Sequence, residues 1–187
     1  AHLMMHIDQV AQKGEGKVIA VIDTGVDMTH PAFTGELAGT PPLTPQKVAA
    51  MTSQLGEGKT GVYVSQKFPF AYDYADGDND AMPAKGSYGS HGTHVAGITA
   101  GNADQIIGVA PEAQIIVAKV SRSSDGEIPD SALLASLDDM VVLHPDVVNL
   151  SLGQLGGMDN EADSVYATVF KKLQDEGVSV NAAAGNH

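Results

Sequence analysis

The chain has no cysteine in its 187 residues, which excludes disulfides, thiolate catalysis and cysteine-ligated zinc. It has no tryptophan, and aromatic residues make up only 5% of it. Ala, Val, Ile, Leu and Gly must therefore pack its core, as they do in many parallel α/β sheets. Positive charge is scarce: 10 Lys and Arg stand against 23 Asp and Glu, for a formal net charge of −13. A surface of that sign repels phosphate backbones and argues against nucleic-acid binding. It can attract Ca²⁺ or a cationic substrate, although an acidic soluble surface accounts for it better. No apolar run reaches the ~18 residues that cross a bilayer. Ala1-His2-Leu3-Met4-Met5 lacks the basic-then-apolar order of a signal peptide. Residues 1–16 read as an N-terminal extension or a remnant of expression.

What is present is an alternation of apolar runs and helical patterns. Lys17 to Ile22, a short apolar run of β-branched residues, reads as a buried strand, and Gln114 to Val120, Asp146 to Leu152 and Val178 to Ala184 read as further apolar strand segments. Between them, Ser90 is placed to cap a helix starting near His91, and Asp130 or Ser131 to cap one ending near Leu143, before Pro145. Glu161 to Glu176 places Val165, Val169 and Leu173 at four-residue spacing, with Ala162 and Tyr166 nearby, and Gly177 stops it. This alternation predicts an α/β fold with a mostly parallel sheet built from βαβ units. Residues 35–86, with Pro41, Pro42 and Pro45 and few periodic apolar positions, read as a long surface insertion with one short helix around Pro45 to Leu55.

In such sheets ligands gather at the carboxyl ends of the strands. Asp23, Ser151-Leu152-Gly153 and Gly185-Asn186 all fall there. Alone, an Asp before Thr-Gly is a turn former, and a His opening a helix is a capping or surface residue. Together they supply a mechanism. A hydroxyl attacks a peptide carbonyl only when a base removes its proton, and imidazole titrates near neutrality. A carboxylate must hold the other ring N–H. Asp23 and His91 suit those roles, and the Asn186 side-chain N–H suits a developing oxyanion. His94 follows His91 by three residues, but no third ligand for a metal is evident; a buried, hydrogen-bonded structural role is expected for it. Gly56-Glu57-Gly58-Lys59-Thr60 fails as a phosphate loop because Ser53 stands at its first glycine.

The motifs Asp23-Thr24-Gly25, His91-Gly92-Thr93-His94-Val95-Ala96-Gly97, Gly108-Val109-Ala110-Pro111, Asn149-Leu150-Ser151-Leu152-Gly153 and Asn186, in this order, resemble those of the subtilisin-like serine peptidases. The resemblance runs from about residue 17 to the end. It implies a three-layer subtilisin-like domain over residues 17–187, incomplete, with helices flanking a parallel sheet that has seven strands in the whole family fold. It implies catalytic roles for Asp23, His91 and Asn186, and a substrate-binding strand at Ser151, Leu152 and Gly153. The family order is Asp, His, Ser, so the nucleophile is expected beyond His187 and the fragment is expected to be inactive alone. The parent is then a secreted serine endopeptidase acting on proteins or peptides. A catalytically silent relative that binds peptides or a partner protein is the rival reading.

The span from Asp23 to His91 resembles the cell-envelope proteinase branch, which implies a secreted or wall-associated protein of a Gram-positive bacterium. No cofactor is required. The family's tight Ca²⁺ site is put in doubt, because Ala32 stands where an Asp often follows His-Pro. A looser site at Asp76, Asp78 and Asp80 lacks the sixth-position Gly and twelfth-position Glu of an EF-hand loop. Val178 to Ala184 is expected to form an exposed sheet edge able to pair with another copy.

Overall fold

The computed structural model describes residues 3–56, 58–84, 89–153 and 164–185. Five strands form one sheet: β1 (Val18–Asp23), β2 (Phe70–Asp73), β5 (Gln114–Lys119), β6 (Val147–Leu150) and β7 (Ser179–Ala182). Their spatial order is β2-β5-β1-β6-β7, and every pairing is parallel. A two-residue hairpin, β3 (Asn102–Ala103) and β4 (Ile106–Ile107), follows the helix that carries His91. The helices are α1 (Pro45–Thr52), α2 (Ser90–Ala100), α3 (Asp130–Leu143) and α4 (Val165–Asp175).

β1 and β5 are buried at all six positions each, because helices cover both faces and both sets of alternating side chains must be apolar. Val21, Ala71, Ile115 and Val117 pack with Ala96 and Ala100 of α2. On the other face Ala20, Ile22, Ile116, Ala118 and Val148 pack with Leu137, Met140 and Leu143 of α3 and Leu173 of α4. Full burial of each large side chain contributes about 1.5–3 kcal/mol. The parallel α/β sheet expected from the alternation is present, in the three layers that the resemblance implies.

Local details differ from the sequence reading. Ser90 is the first residue of α2 and not its cap; Gly89 precedes it with helical dihedrals. Pro129 occupies the cap position of α3, and Asp130 begins the helix, where its charge favours the amino end. The described part of the fourth helix starts at Val165, with the Ser164 hydroxyl accepting from the Tyr166 N–H. Glu161 and Ala162 lie outside the described residues.

Residues 35–86 are not all surface. α1 is present, with Thr44 as its cap and Pro45 in its first turn. Beyond it β2 joins the sheet, and Phe68, Phe70, Tyr72, Tyr74 and Ala81 are buried. A four-residue strand directly after Pro69 carries too little periodicity to be read from composition. The carboxyl end of β2 also brings Asp73 level with Lys119 of β5.

Lys67 lies in the same stretch and is 4% exposed. Its Nζ donates to the carbonyls of Pro111 (2.7 Å) and Ala113 (2.8 Å). Burial pushes its pKa down from 10.5 to about 8, and Glu112 only partly opposes this. Between these two values the unfolded chain holds a proton that the folded chain has released, so stability rises with pH across that window. Below pH 8 the charging penalty is fully present. Relative to Lys67→Met, the protein is expected to gain on the order of 3 kcal/mol as pH rises from 8 to 10.5. Urea denaturation of both proteins across that range measures the difference; a constant gap refutes it.

Candidate active site

Parallel register brings the site together. Ile22 pairs with Leu150, and Leu150 with Ala182. The next residues, Asp23, Ser151 and Ala183, therefore stand level along the carboxyl edge of the sheet, with Asn186 three residues beyond Ala183. α2 packs over β1 on one face of this edge. Its second residue is His91.

The Asp23 side chain is 1% exposed, and its Oδ1 lies 2.7 Å from His91 Nδ1. The same oxygen accepts the Thr24 N–H at 2.7 Å. Oδ2 is buried and has no hydrogen-bond partner among the described residues. The His91 ring is 48% exposed, so it is held on one side and open on the other. A base needs this arrangement: Nδ1–H donates to the carboxylate, which fixes the tautomer and leaves Nε2 free to take a proton.

The loop after β1 is tied to α2. Gly92 N–H donates to Thr24 Oγ1 (3.1 Å), and Asp27 N–H to Thr93 Oγ1 (2.8 Å). Gly25 has φ +99°, a conformation open to glycine, and Val26 N–H donates to the Ala81 carbonyl. A Cβ on Gly92 would meet the Gly25 carbonyl oxygen at 2.3 Å and Asp23 Oδ1 at 3.0 Å. The glycine thus allows the helix start to approach the carboxylate.

Of the expected substrate strand, Ser151 and Leu152 are half-buried and Gly153 is exposed. Ser151 Oγ accepts from Asn149 Nδ2 at 2.9 Å. Leu152 and Gly153 border a cavity of about 560 Å³, with Ile128, Leu133, Leu150 and Tyr166 as its apolar lining and Asp125, Glu127 and Asp130 among its polar residues. Tyr166 O–H donates to Asp130 Oδ1 (2.8 Å); burial, reinforced by Asp130, pushes its pKa up to about 12. Asp125 is held below the ordinary carboxylate range by the Glu127 backbone N–H and by Arg122.

The structure brings Asp23 and His91 together, and Leu152 and Gly153, but not Ser151, border the cavity. Asn186 lies outside the described residues. His94 departs from expectation. It is exposed and lines an apolar hollow with His30, Ile98 and Ile107, while α2 turns Gly92, Ala96, Gly97 and Ala100 inward. Sequence reasoning passed over the 125–128 segment, Tyr166 and Lys119. Lys119 carried a signal: a charge at the end of a fully buried strand requires a partner.

Among the described residues, position 32 supplies no carboxylate for a tight calcium site. Ala32 is buried with Phe33 and Phe68 in an apolar cluster and offers no ligand atom. In the acidic loop, Asp73, Asp78 and Asp80 accept nearby backbone N–H groups. Among the described residues no three His, Asp or Glu side chains converge.

Residues 14–187 match the Subtilase family model, Peptidase_S8, and the chain belongs to that family. It is 35% identical over 182 residues to the PI-type proteinase of Lactococcus lactis subsp. cremoris, covering 93% of this chain and 9% of that protein. It is 28% identical to the C5a peptidase of Streptococcus pyogenes serotype M3, covering 96% and 16%. It is also 28% identical to the major intracellular serine protease of Bacillus subtilis, covering 93% and 44%. The chain thus spans less than half the length of each of these relatives. The fold is shared with the S218A mutant of the protease domain of PatA (TM-score 0.64, 21% identity, 94% of this chain and 52% of that one). MycP1 with its N-terminal propeptide removed shares it too (TM-score 0.61, 20% identity, 100% and 49%). No helix among the described residues is long and apolar enough to cross a membrane.

Proposed function

We propose that this chain forms the Asp- and His-bearing part of a serine endopeptidase whose nucleophilic Ser follows residue 187. The observation that carries this reading is the buried Asp23 carboxylate 2.7 Å from a half-exposed His91, level with Ser151 at the carboxyl edge of the sheet. His91 Nε2 takes the serine proton as the hydroxyl attacks a peptide carbonyl. Asp23 steadies the imidazolium that results. The Asn186 side-chain N–H donates to the oxyanion. His91 then returns the proton to the leaving amine. An extended substrate lies along Ser151, Leu152 and Gly153, and no cofactor takes part.

The organisms of the first relatives, Lactococcus lactis and Streptococcus pyogenes, support a secreted or wall-associated protein of a Gram-positive bacterium. β7 pairs only with β6 among the described strands, so its outer edge is open to a further strand from the rest of the domain or from a second copy.

The test is a fluorophosphonate probe on the chain extended through the remainder of its peptidase domain, read by intact mass. One adduct is expected, lost in His91→Ala; residues 1–187 alone should take none. A folded extended domain that takes no adduct overturns the peptidase reading in favour of a silent, peptide-binding domain.

A further inference from the structure

Lys119 is a lysine with 1% side-chain exposure at the carboxyl end of β5. A charge so placed is costly unless it is paired and hydrogen-bonded. Its ammonium pairs with Asp73 Oδ2, also 1% exposed, lies 3.6 Å from Asp76 Oδ2, and donates to Ser123 Oγ at 2.6 Å. Asp76 Oδ2 in turn accepts the Ser123 backbone N–H at 2.9 Å. That N–H is the main reason the Asp76 carboxyl sits below its ordinary range. Lys119 and Asp76 thus both bind Ser123, near the start of the 121–128 segment, while Asp73 holds the ammonium. The segment continues as a tight turn, closed by Gly126 N–H to the Arg122 carbonyl and by Arg122 N–H to the Glu127 carbonyl. Asp125, Gly126, Glu127 and Ile128 then form one wall of the cavity beside Gly153.

The position of that wall defines what it recognises. His91 rises from α2 on one face of the sheet, while the cavity is bounded by Leu133 of α3 and Tyr166 of α4 on the other. An extended peptide advances about 3.3 Å per residue, so a side chain that enters a cavity on the face opposite His91 belongs to a residue away from the scissile bond.

We propose that Lys119 is a positioning residue of the substrate cleft: through Ser123 and Asp76 its buried ammonium fixes the 121–128 wall, and so sets recognition of substrate residues remote from the scissile bond. The proposal rests on the peptidase reading above. Lys119 touches no reacting group. It is the register partner of Asp23, so a disturbance of the strand end itself must be told apart from a disturbance of the wall.

Two chromogenic peptides make that distinction in the intact peptidase domain, one with four residues before the scissile bond and one with a single acylated residue. Lys119→Met is expected to lower kcat/KM on the long peptide about 10- to 50-fold, chiefly through KM, and to leave the short peptide within about twofold. Lys119→Arg should restore most of the loss. Asp76→Asn and Ser123→Ala lie near the surface, leave Asp73 and Lys119 paired, and should give the same skew at smaller size if Lys119→Met fails to fold. Equal losses on both peptides, or no skew in the two surface variants, overturn the proposal. A wild-type domain that cleaves both peptides while its variants show no skew overturns only the proposal. A folded wild type that cleaves neither removes the peptidase reading and the proposal with it.

Discussion

Asp23→Asn in the intact peptidase domain is expected to lower kcat by about 10⁴-fold, the size of loss seen when this carboxylate is removed from peptidases with the same triad, subtilisin included. The reason is local. Asp23 Oδ1 accepts both the Thr24 N–H and the His91 Nδ1 proton. An amide oxygen in the Oδ1 place can still accept both protons, but it carries no charge and cannot steady the imidazolium that forms when His91 takes the serine proton. With the amide turned over, its NH₂ faces the ring, and His91 must present a bare Nδ1 and carry its proton on Nε2, where it can no longer take one from a serine. The KM for a peptide should hardly change, because neither residue lines the cleft wall. Stability should stay level or rise, since the substitution removes a buried charge whose second oxygen lacks a hydrogen-bond partner among the described residues. Steady-state kinetics and a thermal melt on one preparation check both halves. A kcat loss of less than tenfold would mean that the His91–Asp23 pair is not the working base.

That expected trade separates an enzyme from a scaffold. A domain kept only for packing gains nothing from a buried carboxylate aimed at a half-exposed imidazole, and an apolar residue at position 23 would suit it better. A site that sacrifices stability for chemistry behaves in the opposite way. The two halves of the Asp23→Asn result, activity lost and stability kept, bear on the peptidase and silent-domain readings directly.

The strands β1 and β5 were legible because each is a run buried on both faces, and β6 because its apolar run, half-buried on one face, leads into a turn. Asp23 and His91 were legible because the chemistry restricts which residue types can follow such strands. β2 was not, because Phe70-Ala71-Tyr72-Asp73 is short, follows a proline and sits among turn residues; only its pairing with β5 gives it meaning. The Lys119 cluster was hidden for a related reason. Asp73, Asp76 and Ser123 meet it through parallel register and a loop return, and neither relation leaves a spacing in the sequence. His94 was misjudged because a histidine within a helix of small residues was expected to be buried, whereas α2 buries Gly92, Ala96, Gly97 and Ala100 and leaves His94 exposed.

Gly92→Ala should be the most damaging single-methyl change near the site, with kcat falling about 100-fold. A Cβ there meets the Gly25 carbonyl oxygen at 2.3 Å and Asp23 Oδ1 at 3.0 Å. The first of these is backbone in a turn held by the φ of Gly25 and by the Val26 to Ala81 hydrogen bond, so it cannot move aside. The start of α2 has to lift, carrying His91 with it, and a displacement near 1 Å can cost about 10² in rate. Overpacking of this kind costs about 1–3 kcal/mol, while alanine in place of glycine in a helix returns up to about 1 kcal/mol, so the net destabilisation stays modest beside the kinetic loss. Gly97→Ala on the same helix supplies the control. Its Cβ meets nothing within 4 Å, and it should keep full activity while gaining about 0.5–1 kcal/mol from helix propensity and a less flexible unfolded chain. Turnover of a short peptide and urea denaturation of both variants decide the matter. If Gly92→Ala turns over as fast as Gly97→Ala, close approach of the helix start to Asp23 is not what aims His91.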